Sequence, residues 1–334
     1  MLTFGADGRP LSLRCKHMIL DFRTAHQGGS WEVIARRVVP EIWTLPPGLF
    51  TMVIVCPIMQ HPQTDYERRI TEMNNRSVLV LSVLNLLGFL GTVIVNALAV
   101  MLPLNDITTG ELSDLYPNLF TPAGLTFSIW GLIYVLLGIF VVYQLLPYVR
   151  RDPQRADFIQ RIGPFFFISC LANMGWIFAW HYQNMALSLV LMLVLFGSLL
   201  TIYLRLNVGT TEAGKARRYF VHLPFSVYLG WITIATIANA TAALVNLNWG
   251  GFGLGDQFWA VAVIIVGIAI ALSVLLTRKD AYYCLVVDWA LLGILLKRLS
   301  DATVPDQRVV VATIAGLAII TVGIVVQAAR RKVY

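Results

Sequence analysis

The stretch YLGWITIATIAN, residues 228–239, lies inside an apolar run long enough to cross a bilayer. It nevertheless carries a tyrosine, a tryptophan, two threonines and an asparagine. Leucine would insert more easily at each of those places, because a polar group in hydrocarbon must find its partner within the protein. Tyr228, Trp231, Ala235 and Asn239 follow steps of three, four and four, so in a helix they share one face. The run reads as a membrane helix with one side reserved for something other than lipid.

The rest of the chain supports a membrane setting. Its 334 residues are 57% hydrophobic and 13% charged, with a mean hydropathy of +0.72. Soluble domains carry about 25% charged residues. Apolar stretches near residues 77–101, 125–148, 163–181, 186–206, 222–244, 258–277, 281–296 and 309–328 are each of spanning length. These spans predict an all-α polytopic membrane protein with about eight transmembrane helices.

Loop charges alternate across these spans. Arg68, Arg69 and Arg76 precede the first, and the next loop holds Asp106, Glu111 and Asp114 with no Lys or Arg. Basic clusters return at Arg150, Arg151, Arg155 and Arg161, at Lys215, Arg217 and Arg218, at Arg278 and Lys279, and at Arg330, Arg331 and Lys332. The seventh loop breaks the pattern, since Lys297 and Arg308 mix there with Asp301 and Asp306. An even span count with both termini cytoplasmic satisfies the positive-inside rule. The net charge of +7 belongs to these loops, so the expected partner is the lipid bilayer and not nucleic acid. The four cysteines are scattered without a CxxC pair, which argues against a disulfide framework or zinc site. Short loops and such cysteines suit a bacterial inner membrane.

Residues 1–72 fit poorly, because their one apolar run, LPPGLFTMVIVCPIM, is short and opens near two prolines. We expect a poorly ordered extension, with the native start at Met73. The alternative is a membrane-surface appendage bearing Trp31, Trp43, Arg36 and Arg37.

Two further spans carry stripes like that of the fifth. Phe127, Trp130, Tyr134 and Gly138 share a face of the second, and Asn173, Trp176 and Trp180 a face of the third. In the fifth the rhythm continues through Ala242 to Asn246. A single stripe could be interfacial aromatics plus amide glue worth about 1 kcal/mol. Three of them, with tryptophans away from the span ends, favour one shared cavity with an apolar wall and a few orienting polar groups.

Three segments resemble the tryptophan-rich sensory protein family, also called the translocator protein or TspO family. LANMGW is similar to its third-helix motif and places Asn173 and Trp176 there. TPAGLTFSIWGLIYVLLG resembles the start of its second helix, and PFSVYLGWITIATIANATAALVN its last, with Tyr228, Trp231, Ala235, Asn239 and Asn246 in register. The resemblance covers about residues 77–248 and implies a five-helix bundle over residues 73–248. Residues 249–334 then add three helices and a basic tail. Leu125 stands where an aromatic is expected, and the Phe127 to Trp130 spacing is one residue short. The resemblance further implies a flat hydrophobic ligand, such as a porphyrin or other tetrapyrrole, bound between helices under a lid from Asp106 to Phe120. The residues it assigns to that ligand are Phe127, Trp130, Tyr134, Asn173, Trp176, Tyr228, Trp231, Ala235 and Asn239. It also implies a homodimer, and porphyrin or haem as ligand with no required cofactor.

Catalytic signatures are missing: the sequence has no HExxH, GxSxG or P-loop pattern. His181 and His222 fall at opposite membrane faces, which excludes a bis-histidine haem. A receptor, sensor or carrier is therefore expected in preference to an enzyme, although the resemblance leaves light-dependent porphyrin degradation at Trp130 and Trp231 as an alternative. Asp288, midway along the seventh span, supports a different reading. An ionised carboxylate there costs about 2.5–3.5 kcal/mol on insertion scales, which suits a proton or ion site in a proton-coupled transporter. Against it stands a protonated acid paired with a hydroxyl. A regulatory subunit without a small-molecule ligand is the third alternative.

Overall fold

A spanning segment winds into helix because helix alone satisfies every N–H and C=O within one strand of chain. The computed structural model describes residues 65–102, 104–149, 156–210, 213–300 and 306–330, with side chains from residue 76 other than those of 148 and 149, and contains no strand among them. Its long helices are α1 (Asp65–Met101), α2 (Ile129–Tyr143), α3 (Phe165–His181), α4 (Met185–Arg205), α5 (Leu223–Asn246), α6 (Asp256–Arg278), α7 (Ala281–Ser300) and α8 (Gln307–Ala329). Six helical segments are long and apolar enough to cross a membrane: Arg76–Met101, Gly124–Tyr143, Met185–Arg205, Lys215–Asn246, Asp256–Arg278 and Gln307–Ala329. Helix α3 is a shorter apolar helix of 17 residues, at the lower limit for a span. Helix α7 has 20 residues but carries Asp288, Lys297 and Arg298. The chain is a polytopic, all-helical integral membrane protein.

The N-terminal readings at Trp31, Arg36, Arg37 and Trp43 lie outside the described residues. Helix α1 already runs from Asp65 through Met73. The packing below concerns the compact unit Thr71–Tyr334.

Local chemistry moves some boundaries. The second span opens as a 3₁₀ turn over Gly124–Ser128, and its α-helix ends at Tyr143. The expected continuation to residue 148 is instead a separate short helix, Leu146–Val149. Pro147 explains the break, since its ring crowds the carbonyl four residues back, that of Tyr143. Ahead of α5 the chain makes a π-helical turn over Arg218–His222, and Pro224 occupies the first turn of α5 itself, where its missing N–H is harmless.

Helix α5 is the centre of the molecule. It packs against α2, α4, α6 and α7, and 72% of its spanning window is buried, against 22–39% in the other five segments. Close approach to α7 depends on Gly230. A Cβ there would sit 3.0 Å from the carbonyl oxygen of Tyr283 and 3.2 Å from Cβ of Val286. Helix α1 is held by side-chain amides: Asn85 Nδ2 donates to Gln144 Oε1 at 3.1 Å, and Gln144 Nε2 to the Ser82 carbonyl at 3.2 Å.

At one end of the bundle the α6–α7 turn buries Asp280 completely. Its Oδ2 accepts from Tyr203 Oη at 2.9 Å and Ser226 Oγ at 2.5 Å, and its Oδ1 from the Tyr283 N–H at 3.2 Å. One carboxyl thus joins α4, α5 and α7. Burial pushes it above the usual carboxylate range, and the three donors oppose that shift.

Gly230→Leu should force α5 and α7 apart and destabilise the bundle by about 1–3 kcal/mol, the usual range for overpacking. Thermal unfolding in detergent reads this as a lowered midpoint. An unchanged midpoint would mean that the two helices do not touch at Gly230.

Candidate functional site

The stripes of α2, α3 and α5 meet at Trp130. Its indole stacks on Tyr134 with centroids 5.7 Å apart, lies 6.2 Å from Trp176, and meets Tyr228 and Trp231 edge-on at 6.0 Å and 6.2 Å. Phe127 adds an edge contact to Trp231 at 5.9 Å. Such ring pairs contribute about 0.5–1.5 kcal/mol beyond the area they bury. Tyr228, Trp176 and Trp231 are buried, whereas Phe127, Trp130 and Tyr134 are half-buried. Ala235 is half-buried one turn beyond Trp231. Asn246 is exposed, so the α5 stripe ends before it.

The amides of these stripes bond to neighbouring helices. Asn173 Oδ1 accepts from Asn96 Nδ2 at 2.7 Å, and Asn173 Nδ2 donates to Tyr228 Oη at 3.2 Å, tying α1, α3 and α5. Trp176 Nε1 donates to Asn239 Oδ1 at 3.3 Å, and Asn239 Nδ2 to Ser188 Oγ at 3.0 Å, tying α3, α5 and α4. Interhelical glue therefore accounts for the asparagines. It does not account for Trp231. That indole is 2% exposed, and its Nε1 is buried without a hydrogen-bond partner; leaving a buried donor unpaired costs about 1–3 kcal/mol.

Above the rings lies the loop that the sequence marks as a lid. A short helix, Thr109–Asp114, starts with a capping box in which Thr108 and Glu111 bond reciprocally. The Thr108 hydroxyl and backbone N–H hold the Glu111 carboxyl below its usual range. Trp180 Nε1 donates to the Thr109 carbonyl at 3.3 Å, and Asn105 Nδ2 to that of His181 at 3.2 Å. Leu112 and Phe120 point inward and are buried. The loop is thereby fastened to the end of α3.

Helix α7 fastens the other side. Trp289 Nε1 donates to the Thr126 carbonyl at 2.9 Å, the Ala123 N–H to the Gly293 carbonyl at 3.0 Å, and Lys297 pairs with Asp114. These three residues recur every four positions and so lie along one helix face. A Cβ on Gly293 would stand 2.8 Å from Thr126 Cβ. Sequence reasoning missed this face. Its spacing was visible, but a tryptophan, a glycine and a lysine share no chemistry until their partner loop is known.

The remaining expected residues lie elsewhere. Asp288 does not join the aromatic cluster; its Oδ2 lies 3.0 Å from Thr321 Oγ1 of α8. His181 ends α3, with Nδ1 2.8 Å from the Ile177 carbonyl oxygen, and His222 stands in the turn ahead of α5. No group of three His, Cys, Asp or Glu able to hold a metal occurs among the described residues. Cys170 and Cys284 are free and buried.

These features define a class: a helical membrane bundle whose interior rings gather beneath a fastened loop. A family model described as a TSPO-like protein matches residues 82–326, and the chain belongs to that family. The match runs from α1 into α8, so it takes in α6, α7 and most of α8. No curated protein and no solved structure gives a significant match.

Trp289→Phe keeps the ring and deletes the N–H, and should lower stability by about 1 kcal/mol. Gly293→Ala should do more, because Thr126 must retreat, and it should also change the tryptophan emission as Trp130 shifts. Denaturant titration followed by intrinsic fluorescence checks both, and two wild-type curves would refute the α7 contact.

Proposed function

We propose that the bundle is a membrane receptor or carrier for a flat, hydrophobic ligand held among Phe127, Trp130, Tyr134, Trp176, Tyr228 and Trp231. One observation carries this reading: a buried indole N–H at Trp231, without an acceptor, among the rings of three helices. A planar ligand bearing one carbonyl or carboxylate would satisfy that donor and stack on the surrounding rings. Trp130 is half-buried and touches four of those rings, so it is the side chain that turns to admit the ligand. Ala235, small and half-buried, continues the same face of α5, while Asn173 and Asn239 tie the surrounding helices together. The Thr109–Asp114 helix covers the cluster, and α7 sets its position. Tetrapyrroles have the required shape, apolar faces and peripheral acceptors. Binding of this kind needs no bond to be made or broken, which suits sensing or carriage.

Protoporphyrin IX provides the probe. Wild-type protein in detergent should show saturable quenching of tryptophan fluorescence at micromolar concentrations. Trp231→Phe retains an aromatic ring and loses the donor, so its Kd should rise roughly tenfold, the equivalent of one hydrogen bond of about 1.4 kcal/mol. An unchanged Kd in that variant contradicts the reading.

A further inference from the structure

Asp288 belongs to a separate part of the molecule. It is 9% exposed and lies midway along α7, which packs against α5, α6, α8 and the Gly124–Ser128 turn. One carboxyl oxygen, Oδ2, has Thr321 Oγ1 at 3.0 Å; the other, Oδ1, is buried and meets no donor. A carboxylate shares its charge between both oxygens and requires donors at each. Here one hydroxyl serves the whole group.

The surroundings offer no compensating cation. Between its terminal residues α6 has no charged side chain, and α8 has none between Arg308 and Arg330. Helix α5 contributes only the phenol of Tyr228, and the Gly124–Ser128 turn contributes no titratable group. On α7 itself, Cys284 gives its thiol to the Ala271 carbonyl, and in the turn before it Asp280 is engaged by Tyr203 and Ser226. The Tyr283 hydroxyl is spent on Thr233 Oγ1, and Tyr282 lies near the start of the helix. Lys297 is engaged with Asp114, and Arg298 stands ten residues on, about 15 Å along a helix.

We propose that Asp288 and Thr321 form a membrane-embedded proton-binding site, occupied at neutral pH. Protonation removes the uncompensated charge, lets the acid and the Thr321 hydroxyl share a single hydrogen bond, and leaves only a neutral carbonyl oxygen bare. A metal ion is a poorer occupant, because a hard cation takes about six oxygen ligands or more and this pair supplies three oxygens. Release of the proton places a charge at the α7–α8 contact, and α8 must then give way to water. Trp289, the next residue of α7, holds the Thr126 loop, so the proton's departure is felt at the wall of the aromatic cluster. None of this depends on what that cluster binds.

Infrared spectroscopy of the full chain in lipid bilayers tests the site. At neutral pH the wild type should show a carboxylic-acid C=O band that is absent from Asp288→Asn. Thr321→Val keeps the acid and removes its partner, so the same band should persist and move to higher frequency. That second variant preserves the test should Asp288→Asn fail to fold. Acid-region spectra at neutral pH that coincide for wild type and both variants would overturn the proposal.

Discussion

Helix α5 is the most enclosed of the spanning helices, with 72% of its window buried, so most of its surface faces protein and little of it can face lipid. A polar group on such a helix finds its partner in neighbouring protein, and the Trp231 indole N–H is the one on α5 left without an acceptor. Gly230 permits the approach of α7. Tyr228 receives the Asn173 amide, Thr233 receives the Tyr283 hydroxyl, and Asn239 bonds to both Trp176 and Ser188. The outer helices carry far less burial, and their apolar surface meets lipid. The order of the bundle follows from what α5 requires.

The same constraint ties the C-terminal helices to the aromatic cluster. Helix α7 packs on α5 with one part of its surface and, through Trp289, Gly293 and Lys297, holds the loop that leads into α2. Phe127 and Trp130 follow directly on that loop, so their placement depends on a helix beyond residue 248. The family match crosses that position without interruption. A chain segment that reads in sequence as an addition thus supplies the mount for residues far upstream.

The helices and the convergence of the rings were legible because both depend on periodicity. Apolar runs of spanning length announce membrane helices, and indoles spaced three and four apart announce a common face. What the asparagines do was not legible. Asn173 and Asn239 read as ligand contacts, and their bonds to neighbouring helices depend on Asn96 and Ser188, which lie on other helices and look unremarkable in their own runs. The end of α2 at Tyr143 could have been read from Pro147. The fastening of that loop could not, since Trp180 and Trp289 show their purpose only against the backbone of Thr109 and Thr126, and Lys297 only against the Asp114 carboxylate.

The central claim is that Trp130, Trp176 and Trp231 point inward and away from lipid. Phospholipids brominated along the acyl chain quench tryptophans that touch them. A variant retaining only these three tryptophans, reconstituted in such lipids, should keep most of its fluorescence. A control with its single tryptophan at exposed Leu132 should be strongly quenched. Equal quenching of the two would contradict the account.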